Sequence, residues 1–424
     1  MRSIALDVHR DFCEVAIAEA GEVRLVGRVK TEPEALELFA RSLAATDRVA
    51  LEATGNGLAI ARIIEPHVDR VLLANPKAVK GATQTAKTDK VDARMLAQLL
   101  AGGFLPEVWI VDEQTRMLRR RVARRAQLVR QRTREKNQVH AILIRNLKAR
   151  PPVSDLFGVQ GRKWLAAQAL PEDERETVAA CLRNIDFLDG ELALVDKSLA
   201  ERGLASPEMQ RLMTLPGVSF VTAAALLAAI GDVSRFPTAR HLVAYLGLNP
   251  RVRQSGSERA RHGRISKQGP GEARHLLVEA AWHAARTTGP LRAFAERIKS
   301  KRGANVATVA VARKLVVIAW HMLSRGEDYA FTRPSLVREK IRKLELAVGA
   351  ERRKGKRNPV RVFATPAQHQ LEKQLAAQAE IAYQRLVQDW QPAIKGTGAA
   401  PGRASRGPLS GQAARQETAP PPAL

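Results

Sequence analysis

Residues 3–29 read SIALDVHRDFCEVAIAEAGEVRLVGRV, and this stretch decides the fold class. Three short runs within it, residues 3–8, 14–19 and 23–29, are rich in apolar and β-branched residues and are strand-like in length, so they predict three consecutive strands. Further along, residues 33–44 place Leu36, Phe39, Ala40 and Leu43 on one face of a helix. Residues 49–52 form a fourth strand that ends in the turn Ala53-Thr54-Gly55-Asn56-Gly57, which opens a helix over 58–64. A fifth strand at 71–74 is stopped by Asn75-Pro76, and 91–100 is helical.

Three strands followed by helix, strand, helix, strand, helix is the order of an RNase H-like α/β domain, although other α/β folds share it. Residues 112–150 then read as one long basic helix, with Asp112 and Glu113 at its start and Pro151-Pro152 as its stop. Its thin apolar seam is Leu118, Val122, Val129, Leu143 and Leu147. A second long helix, 172–202, repeats Val178, Leu182, Ile185, Leu192, Val195 and Leu199 at spacings near three and four, so an antiparallel coiled coil is expected. Beyond it come an apolar helix ending at Ile230, a mixed polar segment to Gly271, and helices over 272–286 and 306–323. A basic run at 351–361 precedes a helix around 366–388, and residues 396–424 have the composition of a disordered tail.

Charge divides the chain. Residues 1–111 hold 14 Lys/Arg against 15 Asp/Glu, whereas the rest hold 55 against 28, within a total of +26. Such an excess points to a polyanionic partner, and the neutral first part has kept acids that have a task. Two cysteines, Cys13 and Cys181, exclude a disulfide framework or a cysteine zinc site and fit a reducing cytoplasm. The opening MRSIALDVHR has no long apolar run, and 218–230 is too short to span a bilayer, so neither a signal peptide nor a membrane partner is expected.

The acids suggest chemistry. Two-metal phosphodiester cleavage needs carboxylates converging from different elements onto ions about 3.5–4 Å apart. Asp7 lies in the first strand, Glu52 closes the fourth, and Asp89 and Asp92 stand three apart at a helix start, where both can face one way. The plain alternative is that Asp7 sits on a solvent edge. Between Arg116 and Lys136 ten of 21 residues are Lys or Arg, so Arg119, Arg120, Arg124 and Arg125 are candidate nucleic-acid contacts; a solvated helix face is the alternative. Around Ser255-Gly256-Ser257 stand Arg251, Arg253, Arg259, Arg261, Arg264 and Lys267, cations able to neutralise a phosphate near a serine; a plain polar loop is the alternative. Leu215-Pro216-Gly217-Val218 reads equally as a phosphate-binding helix–hairpin–helix turn or as an ordinary turn between packed helices.

ALDVHR (5–10), LEATGNG (51–57) and AKTDKVDARMLAQLL (86–100) resemble signature segments of the IS110/IS1111-family transposases, and residues 212–286 resemble the family's C-terminal transposase domain. The resemblance implies a RuvC-like DEDD domain whose tetrad falls on Asp7, Glu52, Asp89 and Asp92 and binds Mg²⁺ or Mn²⁺. It also implies a serine nucleophile directly before a glycine, which falls on Ser255; Ser257 and, less well placed, Ser266 are neighbouring hydroxyls. His262 and His275 fit phosphate binding or packing better than general base work. The domains expected are 1–111 (RuvC-like), 112–205 (basic helical coiled-coil spacer), 206–325 (mainly α, with the serine loop), 326–395 (basic helical extension) and 396–424 (tail). The implied activity is that of a site-specific DNA recombinase moving its own element, as a homo-oligomer, guided by a structured RNA. A junction-resolving nuclease that uses the acids alone, or a binding protein whose acids are structural, are the rival readings.

Overall fold

The computed structural model describes residues 2–76, 79, 88–256, 260–351 and 365–389, with the side chain of His262 excepted. Ser257, Arg259, the basic run from 352 to 361 and the tail from 396 lie outside the described residues. The chain divides into two compact units, Met1–Asp112 and Glu113–Leu424.

The first unit is built on a six-stranded mixed sheet. Its strands are β1 (Ser3–Val8), β2 (Phe12–Glu19), β3 (Glu22–Lys30), β4 (Arg48–Glu52), β5 (Arg70–Ala74) and β6 (Glu107–Val108). They run in the order β3-β2-β1-β4-β5-β6. β1 pairs antiparallel with β2 and parallel with β4, and β4 is parallel to β5. Alternation along β1 sorts its side chains between two faces. Ile4, Leu6 and Val8 join Leu36 and Ala40 of α1 (Pro33–Arg41) and Ile60 and Ile64 of α2 (Gly57–Ile64). Ala5 points the other way, with Ala16, Ala18 and Ala74, against Ala93, Leu96 and Ala97 of α3 (Asp89–Ala101). Small residues on that face let α3 lie close to the sheet. α1 ends at Arg41, three residues short of the expected 44, because Ser42 bonds back to the Phe39 carbonyl and Asp47 holds the Ala44 amide.

Among its described residues the second unit's regular structure is helical apart from one hairpin. α4 (Glu113–Arg145) and α6 (Glu172–Ala205) pack antiparallel, with α5 (Val159–Ala166) beside their far ends. Arg125–Asp196, Arg132–Asp189 and Arg145–Glu174 pairs run in opposite directions along the two helices, which fixes the orientation. Leu147, expected in the seam, is instead 92% exposed just past the end of α4. One core unites Leu118 and Val122 of α4 and Leu199 of α6 with α7 (Pro207–Met213) and α8 (Phe220–Ile230). It also takes in α10 (Gly271–Ala284), α12 (Ala304–Arg325) and Leu344 of α13 (Pro334–Ala347). α8 is buried nearly all round, as its uniform apolar sequence requires. α12 is the one described helix long and apolar enough to cross a membrane by length and composition, and Val311, Ala312, Leu315, Val316 and Ala319 are fully buried in this core.

The segment 231–271, expected only as mixed and polar, contains α9 (Ala239–Tyr245) and an antiparallel hairpin of β7 (Pro250–Arg253) and β8 (Arg261–Ile265). Two glycines with positive φ seat the hairpin base. A Cβ on Gly247 would collide with the Gln268 carbonyl oxygen, and one on Gly269 would collide with that of Tyr245. Arg274 ties the same loops by donating to the Leu246 and Gln268 carbonyls. The last described helix, α14 (Pro366–Asp389), docks against α11 (Pro290–Arg302) through buried Glu380, which accepts from the Gly289 amide and the Arg292 guanidinium. Glu372 of α14 likewise accepts from the Ser335 amide at the start of α13.

Candidate active site

The acids of the first unit gather where strand alternation and register bring them. Asp7 follows Ala5 onto the α3 face of β1, an interior strand, and is only 6% exposed, so the solvent-edge alternative fails. β1 and β4 are in register from Ser3–Arg48 to Leu6–Leu51, so the next step places Glu52 beside Asp7. Thr88 caps α3, its hydroxyl accepting from the Val91 amide, and Asp89 and Asp92 occupy the first helical turn, where negative charge is favoured.

The electrostatics agree. Burial pushes the Asp7 carboxyl up to about 6; the nearby His9 lowers it, and the charges of Glu52 and Asp92 raise it. Glu14, directly opposite Asp7 on β2 and also buried, is neutralised by Arg28 at 2.8 Å. Asp47 is likewise held by Arg2, which keeps its carboxyl below the usual range although burial opposes this. These two acids are structural. Among the described residues Asp7 has no such arginine, and its close partner is His9, whose Nε2 lies 3.1 Å from Asp7 Oδ2 and 3.4 Å from Asp89 Oδ2. His9 is the site residue that sequence reasoning passed over, although it stands in the quoted ALDVHR segment. Ligand atoms of Asp7, His9 and Asp89 all lie within 4.8 Å of one another, a donor set able to hold a divalent cation.

In the second unit, Ser255 is exposed in the loop after β7, followed by Gly256 at φ +52°, around which there is open space. Arg251, Arg253 and Arg264 on the hairpin, and Lys267 at its base, are exposed or partly so. Ser266 is engaged in the base turn: its amide donates to the Asn249 carbonyl and its hydroxyl accepts from the Gln268 amide. His275 sits on the surface beside Glu279 of the same helix. The Leu215–Val218 turn is wedged between helices. A Cβ on Gly217 would collide with the Ala280 carbonyl oxygen, and Lys340 donates to the Met213 and Leu215 carbonyls. Burial lowers Lys340 to about 8. The ordinary-turn alternative describes this element.

The arginines of α4 divide by their surroundings. Arg119 donates to the Ala228 and Ala229 carbonyls at the C-terminus of α8, a cation where the helix dipole favours one. Arg125 is bound twice by Asp196, Arg124 faces Glu191, and Arg120 reaches Glu113. Arg121 and Arg134 are exposed and form no hydrogen bond or ion pair with the described residues. Converting Arg121 and Arg134 together to Gln is expected to flatten the salt dependence of nucleic-acid binding by a slope of roughly 1–2. Arg125→Gln should instead leave the slope alone and cost about 1 kcal/mol of stability. An unchanged slope in the double variant would return α4 to a merely solvated face.

Comparison with known proteins covers both units. Residues 4–146 match the model of the DEDD-type IS110 transposase domain, and residues 209–296 match that of the IS116/IS110/IS902 transposase family. The transposase for insertion sequence element IS1111A of Coxiella burnetii is 26% identical over 337 residues, 78% of this chain and 91% of the relative. The transposase for insertion sequence element IS1328 of Yersinia enterocolitica is 27% identical over 301 residues, 66% of this chain and 85% of its own. A pilin gene-inverting protein of Moraxella bovis is 25% identical over 300 residues, 67% of this chain and 82% of its own. With one transposase family matched through the acidic unit and again through the serine-bearing one, the chain belongs to the IS110/IS1111-family transposases and is a DNA transposase.

Proposed function

We propose that this transposase cuts and rejoins DNA by attack of Ser255 on a phosphodiester, assisted by an acidic centre made of Asp7, Glu52, Asp89 and Asp92. The observation that carries the reading is the buried carboxyl of Asp7, which pairs with no arginine among the described residues and is raised by burial and by neighbouring acids. Mg²⁺ or Mn²⁺ held by these four carboxylates would relieve that repulsion. When bound, such an ion supplies Lewis-acid polarisation of a phosphate oxygen and lowers the pKa of an attacking hydroxyl. The order of strands and helices in 1–111 supports an RNase H-like, RuvC-like catalytic domain. We read 112–205 as a spacer, with its expected coiled-coil pairing, 206–325 as the serine domain and 326–395 as an extension.

In the serine step, Ser255 Oγ forms a bond to phosphorus as the backbone P–O bond breaks. The proton lost by the serine is balanced by the one gained by the departing sugar hydroxyl. Arg251, Arg253, Arg264 and Lys267 neutralise the phosphate before and during the exchange. The phosphoserine ester retains the free energy of the broken linkage, so a second sugar hydroxyl reverses the reaction without an external energy source. The exposed Arg121 and Arg134 support a further backbone contact, and the family resemblance implies that a structured guide RNA and a homo-oligomer take part.

Trapping the reaction on a nicked substrate that cannot religate, then digesting and mapping by mass spectrometry, is expected to place the DNA on Ser255. An adduct on Ser257 or Ser266 moves the nucleophile. Cleavage with no protein–DNA adduct overturns the serine mechanism in favour of a water-using nuclease.

A further inference from the structure

The four-carboxylate reading leaves His9 without a task. The imidazole nitrogen stands 3.1 Å and 3.4 Å from oxygens of Asp7 and Asp89. Around an ion with ligand bonds of about 2.1 Å, neighbouring octahedral ligands are separated by about 3.0 Å. The spacing of His9 from each carboxylate therefore fits that of adjacent ligands on one ion, and the ligand atoms of all three residues lie within 4.8 Å of one another.

The residue is also held in place from several sides. Its amide donates to the Phe12 carbonyl at 2.9 Å, and its ring packs on that of Phe12, with centroids 4.9 Å apart. Its carbonyl accepts from Asn56 Nδ2 at 3.0 Å and from Thr31 Oγ1 at 3.3 Å. Asn56 belongs to the turn that follows Glu52. The turn leaving one acid thus anchors the backbone of the imidazole that sits beside two others. His9 is partly open to solvent, with 35% of its side chain exposed.

We propose that His9 is a nitrogen ligand of the acidic centre and widens its metal range from Mg²⁺ towards Mn²⁺, Co²⁺ and Zn²⁺. The inference rests on the reading of the acids as a metal centre. Oxygen-only sites suit Mg²⁺, whereas an imidazole strengthens binding of the later divalent ions far more than of Mg²⁺. Asn56 and Thr31 are then positioning residues, acting through the His9 backbone.

The test uses the full chain stripped of metal and then titrated with single metal ions, without DNA. Pulsed EPR of the Mn²⁺ complex is expected to show coupling to an imidazole nitrogen, absent in His9→Ala. By calorimetry, His9→Ala should weaken Co²⁺ at least roughly tenfold, since loss of even an outer partner of a metal ligand does as much. Mg²⁺ should change by less than about threefold. His9→Asn keeps a hydrogen-bonding side chain and removes the imidazole, so it should match His9→Ala for Co²⁺; wild-type Co²⁺ affinity in His9→Asn overturns the proposal. Asp7→Asn separates the two levels of the argument, because it should weaken Mg²⁺ and Co²⁺ alike. If it does not, the metal centre itself is misassigned. If it does, while wild-type Mn²⁺ shows no nitrogen coupling, the His9 role alone falls.

Discussion

Asp7→Asn is expected to abolish DNA cleavage while making the metal-free protein more stable at neutral pH. The loss follows from removing a ligand and a negative charge from the centre. Metal assistance is worth several kcal/mol of transition-state stabilisation, so a fall on the order of a thousandfold is expected. The gain follows from burial. With the folded carboxyl at about 6 and the ordinary value at 3.8, folding favours the protonated form. The corresponding stability is fully present below about pH 3.8 and is lost as pH rises through 6. At pH 7 the ionised Asp7 therefore costs the metal-free fold about 2–3 kcal/mol, at 1.36 kcal/mol per pKa unit. The neutral amide of the variant carries no such charge. Thermal melts of both proteins in chelator, from pH 4 to pH 7, should show curves that nearly coincide at the acid end and separate above it, the variant melting higher. A variant that melts lower at pH 7, or recombines normally, would remove Asp7 from the centre.

Ser255→Ala should eliminate strand exchange without touching the fold. Ser255 is exposed beside open space and holds no hydrogen bond with the described residues, so the substitution should stay within about ±0.5 kcal/mol. The chemical effect is large, because no alanine atom can form the covalent intermediate. Losing a nucleophile of this kind lowers turnover on the order of a millionfold where it has been dissected. DNA binding and its salt dependence should persist, since the arginines of the hairpin remain. A recombination assay beside a binding titration checks the pair. Full recombination by Ser255→Ala would transfer the chemistry to another group, and a parallel loss of binding would make Ser255 a contact residue.

The first unit was legible because its signals are local. Period-two runs and turn residues marked out five strands within one or two residues, and the acids were recognisable from their segments. β6 escaped because Glu107–Val108 is two residues long and owes its strand character to pairing with β5. The second unit was harder. α5, α7 and α9 have only seven or eight residues and lack the almost wholly apolar sequence that marked the equally short α2, and the last turn of α11 is rich in Lys and Arg. The β7–β8 hairpin has arginine where alternation would have been sought. At the candidate site, residue type pointed to the carboxylates, whereas the place of His9 depends on how the chain turns after β1. The fate of the α4 arginines was equally unreadable. Whether Arg125 meets an acid or solvent is decided by its register against α6, and Arg119 is claimed by carbonyls more than 100 positions away.

The acidic unit is one uninterrupted stretch, whereas the core of the other joins Leu118 to Leu344 and is buttressed by Glu380. During synthesis this sets an order of events. The acidic unit has all of its partners once the first 112 residues have emerged. The helical unit must wait for nearly the entire remainder, roughly 15–60 s at about 5–20 residues per second. Long-range closure of this kind is also the slower step intrinsically, since it joins residues far apart in sequence. A ribosome-bound chain therefore completes the acidic unit well before the residues that close the core of the helical unit have emerged.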